Sequence, residues 1–265
     1  MKKIIGIIGA GNMGGAIYQI LKKSRLARRV CICDRNLRKI NALGARQDVL
    51  DLQDLLAQSD IIILAVKPQS FKDLANEIKI KAGNKLIMSI MAGVSTRTIS
   101  NLLKAKKVAR AMPNMPAQIG QGAIGWFVGK DVGKSEKIEI ARLLSALGLA
   151  IEFKKENLLD TVTAVSGSGP AYFFYLCEQL EEGAVRLGLD QKTAKLLAEQ
   201  TFFGSAALLR NKKIGVAQLR QAVTSRKGTT AAAIGVLEKN KFGRIFERAL
   251  SSALKRAREL NKLYE

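Results

Sequence analysis

Apolar residues in the first half of the chain fall into short unbroken runs. Residues 4–8, 30–33, 61–66, 86–90, 108–111 and 123–128 are rich in Ile, Val, Leu and Ala and lack a polar residue at every second position. Each run therefore predicts a strand covered on both faces rather than one with a wet side. Residues 50–58 and 71–80 carry helical spacing between the earlier runs, and alternation of strand and helix predicts a parallel sheet with helices on both faces. The character changes after Phe153. The charged stretch "KKEN" (154–157) marks the expected boundary, and nearly everything beyond it has the helical period. The segment "AVSGSGPAY" (164–172) sets glycines, serines and a proline between apolar helical runs, which predicts a kinked or closely packed helix. In the last helix Phe246, Leu250, Ala253, Ala257 and Leu260 fall on one stripe, with Lys255, Arg256, Arg258 and Glu259 elsewhere.

The first strand runs into Gly9-Ala10-Gly11-Asn12-Met13-Gly14, and a helical pattern follows from residue 15. Alone, G-x-G-x-x-G is weak evidence. Between a strand and a helix, with a second strand ending in Asp34, it has the context of a dinucleotide-binding loop: the glycines permit the tight turn and close backbone approach, and the helix N-terminus takes a pyrophosphate. The expected fold class is thus α/β, with a Rossmann NAD(P)-binding domain over 1–155 and an all-helical domain over 156–265. The residue closing the second strand reads the adenosine ribose. Asp34 would bind two ribose hydroxyls and favour NAD, whereas Arg35 would clamp a 2′-phosphate and favour NADP; the sequence offers both. Ligands in such sheets sit at the carboxyl ends of the strands. "AVKPQ" (Ala65, Val66, Lys67 and Pro68, then Gln69) and "ARAMPNMP" (109–116, with Pro113 and Asn114) fall there, and are expected to border the nicotinamide end.

Composition narrows the chemistry. The chain has 265 residues, 48% hydrophobic and 25% charged, enough for one large domain or two modest ones with a real core. It contains no histidine, which removes histidine triads, histidine zinc sites and a histidine proton shuttle; no metal site is expected. Cys31, Cys33 and Cys177 are too few and odd in number for a disulfide framework, and imply a reducing, cytoplasmic compartment with Cys31 and Cys33 as strand thiols. The opening "MKKIIGIIGAGNMGGA" superficially resembles a signal peptide, but its apolar run is short and broken by Gly6 and Gly9, and the phosphate-loop reading explains it better. No stretch reaches the roughly 20 apolar residues of a membrane helix. The net charge of +22 raises the question of nucleic acid. Yet the cations are spread along the chain among Asp and Glu, so a solvated basic surface that draws small anions toward a cleft is the expectation, with no nucleic-acid partner.

The stretch "VTSRKGTTAAAIGVLEK" (223–239) gathers four hydroxyls where a helix cap needs one. A reductase whose substrate is a protonated imine needs no strong general acid, since the substrate brings its own proton. It chiefly needs an anchor, and for a carboxylate a hydroxyl-lined helix N-terminus serves. Ser225, Gly228, Thr229 and Thr230 are the candidates. The β-hydroxyacid dehydrogenases share the two-domain plan but carry a lysine where this chain has Phe173, which counts against alcohol oxidation.

In "IIGAGNMGGAI", "DIIILAVKPQ", "ARAMPNMPA", "AVSGSGPAYFF" and "QLRQAVTSRKGTTAAAIGVLE" the chain resembles the pyrroline-5-carboxylate reductases from end to end. The resemblance implies NADPH, or NADH, as hydride donor; reduction of 1-pyrroline-5-carboxylate to L-proline; and a substrate carboxylate held at Ser225, Gly228, Thr229 and Thr230. It also implies a homodimer built by the helical domain and allows a higher ring of dimers. One departure stands out. After the serine the family usually has proline then glycine, and this chain has Arg226 and Lys227. Two alternatives remain: a related reductase acting on another cyclic imine or keto acid, and a nucleic-acid-binding protein on the same scaffold.

Overall fold

The structure is a computed structural model that describes residues 2–78, 85–212 and 214–264. Seven strands, β1 (Ile4–Ile8), β2 (Arg29–Cys33), β3 (Ile61–Leu64), β4 (Leu86–Ser89), β5 (Lys107–Met112), β6 (Gly122–Val128) and β7 (Gly148–Glu152), form one sheet in the order β2-β1-β3-β4-β5-β6-β7. The first five are parallel. Between them run α1 (Asn12–Ser24), α2 (Leu37–Ala42), α3 (Leu52–Gln58), α4 (Phe71–Glu77) and α5 (Thr96–Leu103). The helix expected over 71–80 thus ends at Glu77; residues 79 and 80 lie outside the described residues.

The expectation of a parallel sheet fails at one joint, because β6 runs antiparallel to β5. Only residues 113–121 join these strands, fewer than the dozen or so that a crossover needs. The chain instead turns back through a short 3-10 helix (Met115–Ile119), with Pro116 in its first turn. A full crossover through α6 (Lys134–Ser145) then makes β7 parallel to β6.

The unbroken apolar runs are explained by two separate cores. Ile61 and Ile63 face one layer with Ile17 and Leu21 of α1 and Leu143 and Leu144 of α6. Ile62 and Leu64, one residue out of phase, face the other layer with Leu55 of α3, Leu74 of α4 and Ile99 of α5. A strand buried on both sides has no position for a polar residue, since each such side chain is worth roughly 1.5–3 kcal/mol in its core.

The chain divides into two compact units, Met1–Ser168 with Ser252–Glu265, and Gly169–Ser251. The expected boundary at 155/156 lies just after β7, and the chain continues through α7 (Leu158–Val162) before it leaves the first unit. The irregular helix expected at 164–172 is a π-helical turn, Thr163–Gly167, in which Ser168 N–H donates to the Thr163 carbonyl at 2.8 Å. Pro170 has no N–H for the carbonyl four residues back, that of Ser166, and Asn114 Nδ2 donates to this carbonyl at 3.0 Å.

The end of the last helix, α12 (Phe242–Lys262), belongs to the first unit and is tied down there by a buried polar cluster. Asn261 Nδ2 donates to both Asp160 carboxylate oxygens at 2.8 Å. Arg110, buried on β5, donates to Glu156 at 3.4 Å and lies 3.9 Å from Asp160. Glu156 also accepts from the Thr96 N–H and hydroxyl at 2.8 and 2.6 Å. Two carboxylates thus flank one buried guanidinium and offset its charge, while its Nε and Nη2 make no hydrogen bond among the described residues.

The second unit holds α8 (Gly169–Arg186), α9 (Gln191–Asn211), α10 (Val216–Ala222), α11 (Thr229–Lys239) and the start of α12. Among its described residues only Gly169, Ala194 and Ala198 are buried, while Phe173, Phe174, Tyr175 and Phe203 are more than half exposed. Helices with this many uncovered aromatic rings lack a partner surface within one chain.

Candidate active site

A cleft of about 300 Å³ opens at the carboxyl ends of β1, β2 and β3, where the strand order reverses between β1 and β3. Three glycines shape it, each differently. Gly9 has φ +110°, and a Cβ there would come within 2.5 Å of the Ala65 carbonyl oxygen, so the loop after β1 runs directly against the loop after β3. A Cβ on Gly14 would overlap the Gly9 carbonyl oxygen, so α1 packs on its own loop without a side chain between them. At Gly11 a Cβ would meet nothing within 4 Å. Gly11 is the N-cap of α1 and supplies no side-chain cap, so the first-turn N–H groups stay available beside an open backbone. That cradle fits a pyrophosphate.

Asp34 does not stand free at the end of β2. Its Oδ2 accepts from the Ala10 N–H at 2.7 Å and its Oδ1 from the Asn36 N–H at 2.7 Å, so the carboxylate braces the glycine loop. Arg35 is ion-paired with Glu77 of α4, and Lys39 of α2 lies 4.0 Å from Asp34. Burial pushes the Cys33 thiol up from its ordinary pKa, and the nearby charges of Asp34, Asp51 and Glu77 push the same way.

Of the expected cofactor residues, Gly9, Gly11, Asp34, Arg35, Ala65, Val66 and Lys67 line this one cleft. Ala10 contributes its N–H to the Asp34 brace, Asn12 and Met13 open α1, and Pro68 opens the 3-10 turn Pro68–Ser70. Pro113 and Asn114 follow β5 and are not part of the cleft wall. Both ends of the Asn114 amide are engaged, Nδ2 on Ser166 and Oδ1 with the Ala123 N–H at 2.9 Å. The cleft also takes residues that sequence reading passed over: Lys39, Ser70, Leu74 and Glu77. Lys39 was within reach, four residues after Arg35; Glu77 had no local signal.

In the second unit, residues 225–228 make a turn closed by Gly228 N–H to the Ser225 carbonyl at 3.0 Å, and α11 starts directly after it. The N-cap is Gly228, and no side chain caps the helix. Thr224 spends its hydroxyl on the Arg220 carbonyl at 2.6 Å. Ser225 Oγ sits over Gly228, where a Cβ would overlap it. Thr229 and Thr230 are the first two helical residues. The hydroxyls are therefore not a surplus of caps. Among the described residues there is no cluster of three or more His, Cys, Asp or Glu that could hold a metal ion, and no helix long and apolar enough to cross a membrane.

Comparison with known proteins shows the family of the chain. Residues 156–260 match the family described as "Pyrroline-5-carboxylate reductase dimerisation", and residues 4–93 match "NADP oxidoreductase coenzyme F420-dependent". A pyrroline-5-carboxylate reductase of Haemophilus influenzae is 34% identical over 99% of each chain. The chain belongs to the pyrroline-5-carboxylate reductase family. The solved structure of such a reductase from Coxiella burnetii has a TM-score of 0.89 at 37% identity, covering 98% of this chain and 99% of that one. The reductase of Plasmodium falciparum, solved with NADP bound, has a TM-score of 0.83 at 26% identity over 98% of each chain.

Within this family the turn at 225–228 is the departure to explain. Lys227 has φ +62°, the left-handed conformation that glycine adopts freely. The family's usual proline-glycine pair suits a turn with positive φ at its third residue. This chain places a lysine at that position.

Proposed function

We infer that this reductase converts 1-pyrroline-5-carboxylate to L-proline, the last step of proline biosynthesis. The bound nicotinamide cofactor, NADPH or NADH, supplies the hydride for the imine carbon. The observation that carries the reading is the open backbone at Gly11, set at an uncapped helix N-terminus in a cleft walled by Ala65 and Val66. Gly9, Ala10, Gly11, Asn12 and Met13 would hold the pyrophosphate, Asp34 and Arg35 the ribose end, and Ala65 to Pro68 with Pro113 and Asn114 the side toward the nicotinamide. Asn114 serves there as a brace, since both ends of its amide are bonded within the protein.

The imine nitrogen arrives protonated, so the chain need not supply a strong acid; its task is to hold the substrate carboxylate. Ser225, Thr229 and Thr230 can donate hydroxyls to it, and Gly228, with no side chain, lets Ser225 Oγ lie close against the uncapped first turn of α11. Thr230→Val keeps the shape and removes one donor to a charged acceptor, a loss of roughly 1.5–3 kcal/mol. That corresponds to about a ten- to hundredfold fall in kcat/KM for pyrroline-5-carboxylate, with NADPH affinity unchanged. Normal kinetics in both Thr230→Val and Ser225→Ala would overturn the clamp. Following NADPH and NADH oxidation separately with pyrroline-5-carboxylate tests the reaction itself.

The uncovered helices of the second unit support a homodimer, in line with the dimerisation family that residues 156–260 match. Sedimentation across a concentration series separates a dimer from a ring of dimers, and a folded, active monomer at nanomolar concentration would refute both.

A further inference from the structure

Four charged side chains gather where the cleft meets the end of β2. Arg35 and Lys39 supply two cations, and Asp34 and Glu77 two carboxylates. Asp34 is largely spoken for: each of its oxygens already accepts a backbone N–H at 2.7 Å, and its side chain is 12% exposed. A carboxylate folded back onto the glycine loop is poorly placed to act as the chief acceptor for two ribose hydroxyls. Glu77 is different. It reaches the cleft from α4, is about half exposed, and holds the Arg35 guanidinium in an ion pair.

Arg35 is the expected reader of a ribose 2′-phosphate; we propose that Glu77 is its built-in competitor and Lys39 its second cation, so that this pair sets how strongly the enzyme prefers NADPH over NADH. This rests on the reading of the cleft as a dinucleotide site. An exposed ion pair contributes little, whereas a guanidinium on a phosphate makes charge-assisted, often bidentate hydrogen bonds. Arg35 therefore exchanges Glu77 for the phosphate when a 2′-phosphate is present. Lys39, four residues after Arg35 in α2, adds a point charge 4.0 Å from Asp34 in the same cleft. Glu77 remains close by as a like charge, and the preference is the balance of these two effects.

Glu77→Gln tests this without touching the glycine loop or Asp34, and Glu77 is exposed enough for the variant to fold. Binding is read by titration with NADPH and NADH. Adenosine 2′,5′-bisphosphate and AMP, titrated in parallel, carry the end in question and no nicotinamide. The expected result is that Glu77→Gln tightens NADPH and the bisphosphate about three- to tenfold and changes NADH and AMP less than about twofold. Lys39→Met is expected to weaken the two 2′-phosphorylated ligands about tenfold and spare the other two. If the wild-type protein binds all four ligands but Glu77→Gln leaves their ratios unchanged, the proposal falls and the dinucleotide site stands. Weaker NADH binding in Glu77→Gln would also overturn it, by making Glu77 a ribose reader. Binding of none of the four by the wild type would overturn the dinucleotide site and the proposal together.

Discussion

Gly11→Val separates the phosphate cradle from the stability of the fold. Gly11 has φ −69° and ψ −178°, a conformation open to any residue, and its Cβ direction is empty to 4 Å. The variant therefore loses only the modest advantage of glycine over an aliphatic residue at an N-cap, about 1 kcal/mol. In a chain of this size that lowers Tm by about 2–4 °C. The same side chain occupies the space in front of the uncapped first turn of α1. If it displaces two charge-assisted hydrogen bonds between that turn and a pyrophosphate, at roughly 1.5–3 kcal/mol each, dinucleotide affinity falls by at least about a hundredfold. Neighbouring glycines behave differently. Gly14→Ala drives a methyl into the Gly9 carbonyl, and Gly9→Ala combines φ +110° with a 2.5 Å approach to Ala65, so both lose stability before they lose affinity. The assay is calorimetric melting of all three variants beside titration of NADPH by its own fluorescence. Gly11→Val that melts normally and binds NADPH like the wild type would refute the cradle.

Three further predictions concern other parts of the chain. Lys227→Gly relieves a left-handed lysine, a conformation costing about 1–2 kcal/mol, and gives back part of that in unfolded-chain entropy, so stability is expected to rise by up to about 1 kcal/mol; a lower Tm would show that the lysine side chain is itself held in place. Burial alone would raise the Asp48 carboxyl, but hydrogen bonds from Lys22 and Tyr18 hold it below the usual carboxylate range. Its contribution to stability is then complete above about pH 4 and is lost as pH falls through the depressed folded value, so Asp48→Asn should flatten the acid limb of a Tm–pH curve, and an unchanged limb would contradict the pairing. Cys33, with its thiol pushed up by burial and three nearby carboxylates, is expected to alkylate slowly at neutral pH and to be protected by saturating NADPH; labelling that NADPH leaves unchanged would place the cofactor elsewhere.

Much of this architecture was legible because its causes are local. An unbroken run such as Ile61–Leu64 has a single comfortable environment, a strand covered on both faces, and the structure puts its alternate residues into two different cores. The direction of β6 was not legible from its own residues, since it is fixed by the shortness of the 113–121 connection and not by anything in 122–128. The Asp34–Arg35 pair illustrates a second limit. Residue type shows what each side chain can bind, but which is already committed depends on Ala10 and Asn36 amides placed by the fold. Glu77, 42 positions from Arg35, leaves no mark in the local pattern.

The surplus hydroxyls of 223–239 are the converse case. Their number was visible in the sequence, but its meaning depended on how many were already in use. A cap would have consumed one of them on the first turn of α11. The structure instead gives that position to Gly228, which has no side chain to offer, and binds the Thr224 hydroxyl back onto the preceding helix at Arg220. At the cofactor cleft the same distinction operates in reverse: Asp34, the residue type best suited to a ribose, is bonded within the protein, and the exchangeable charges are Arg35, Lys39 and Glu77. Composition therefore says how many polar groups a site owns, and the hydrogen-bond geometry says which of them a ligand can still use.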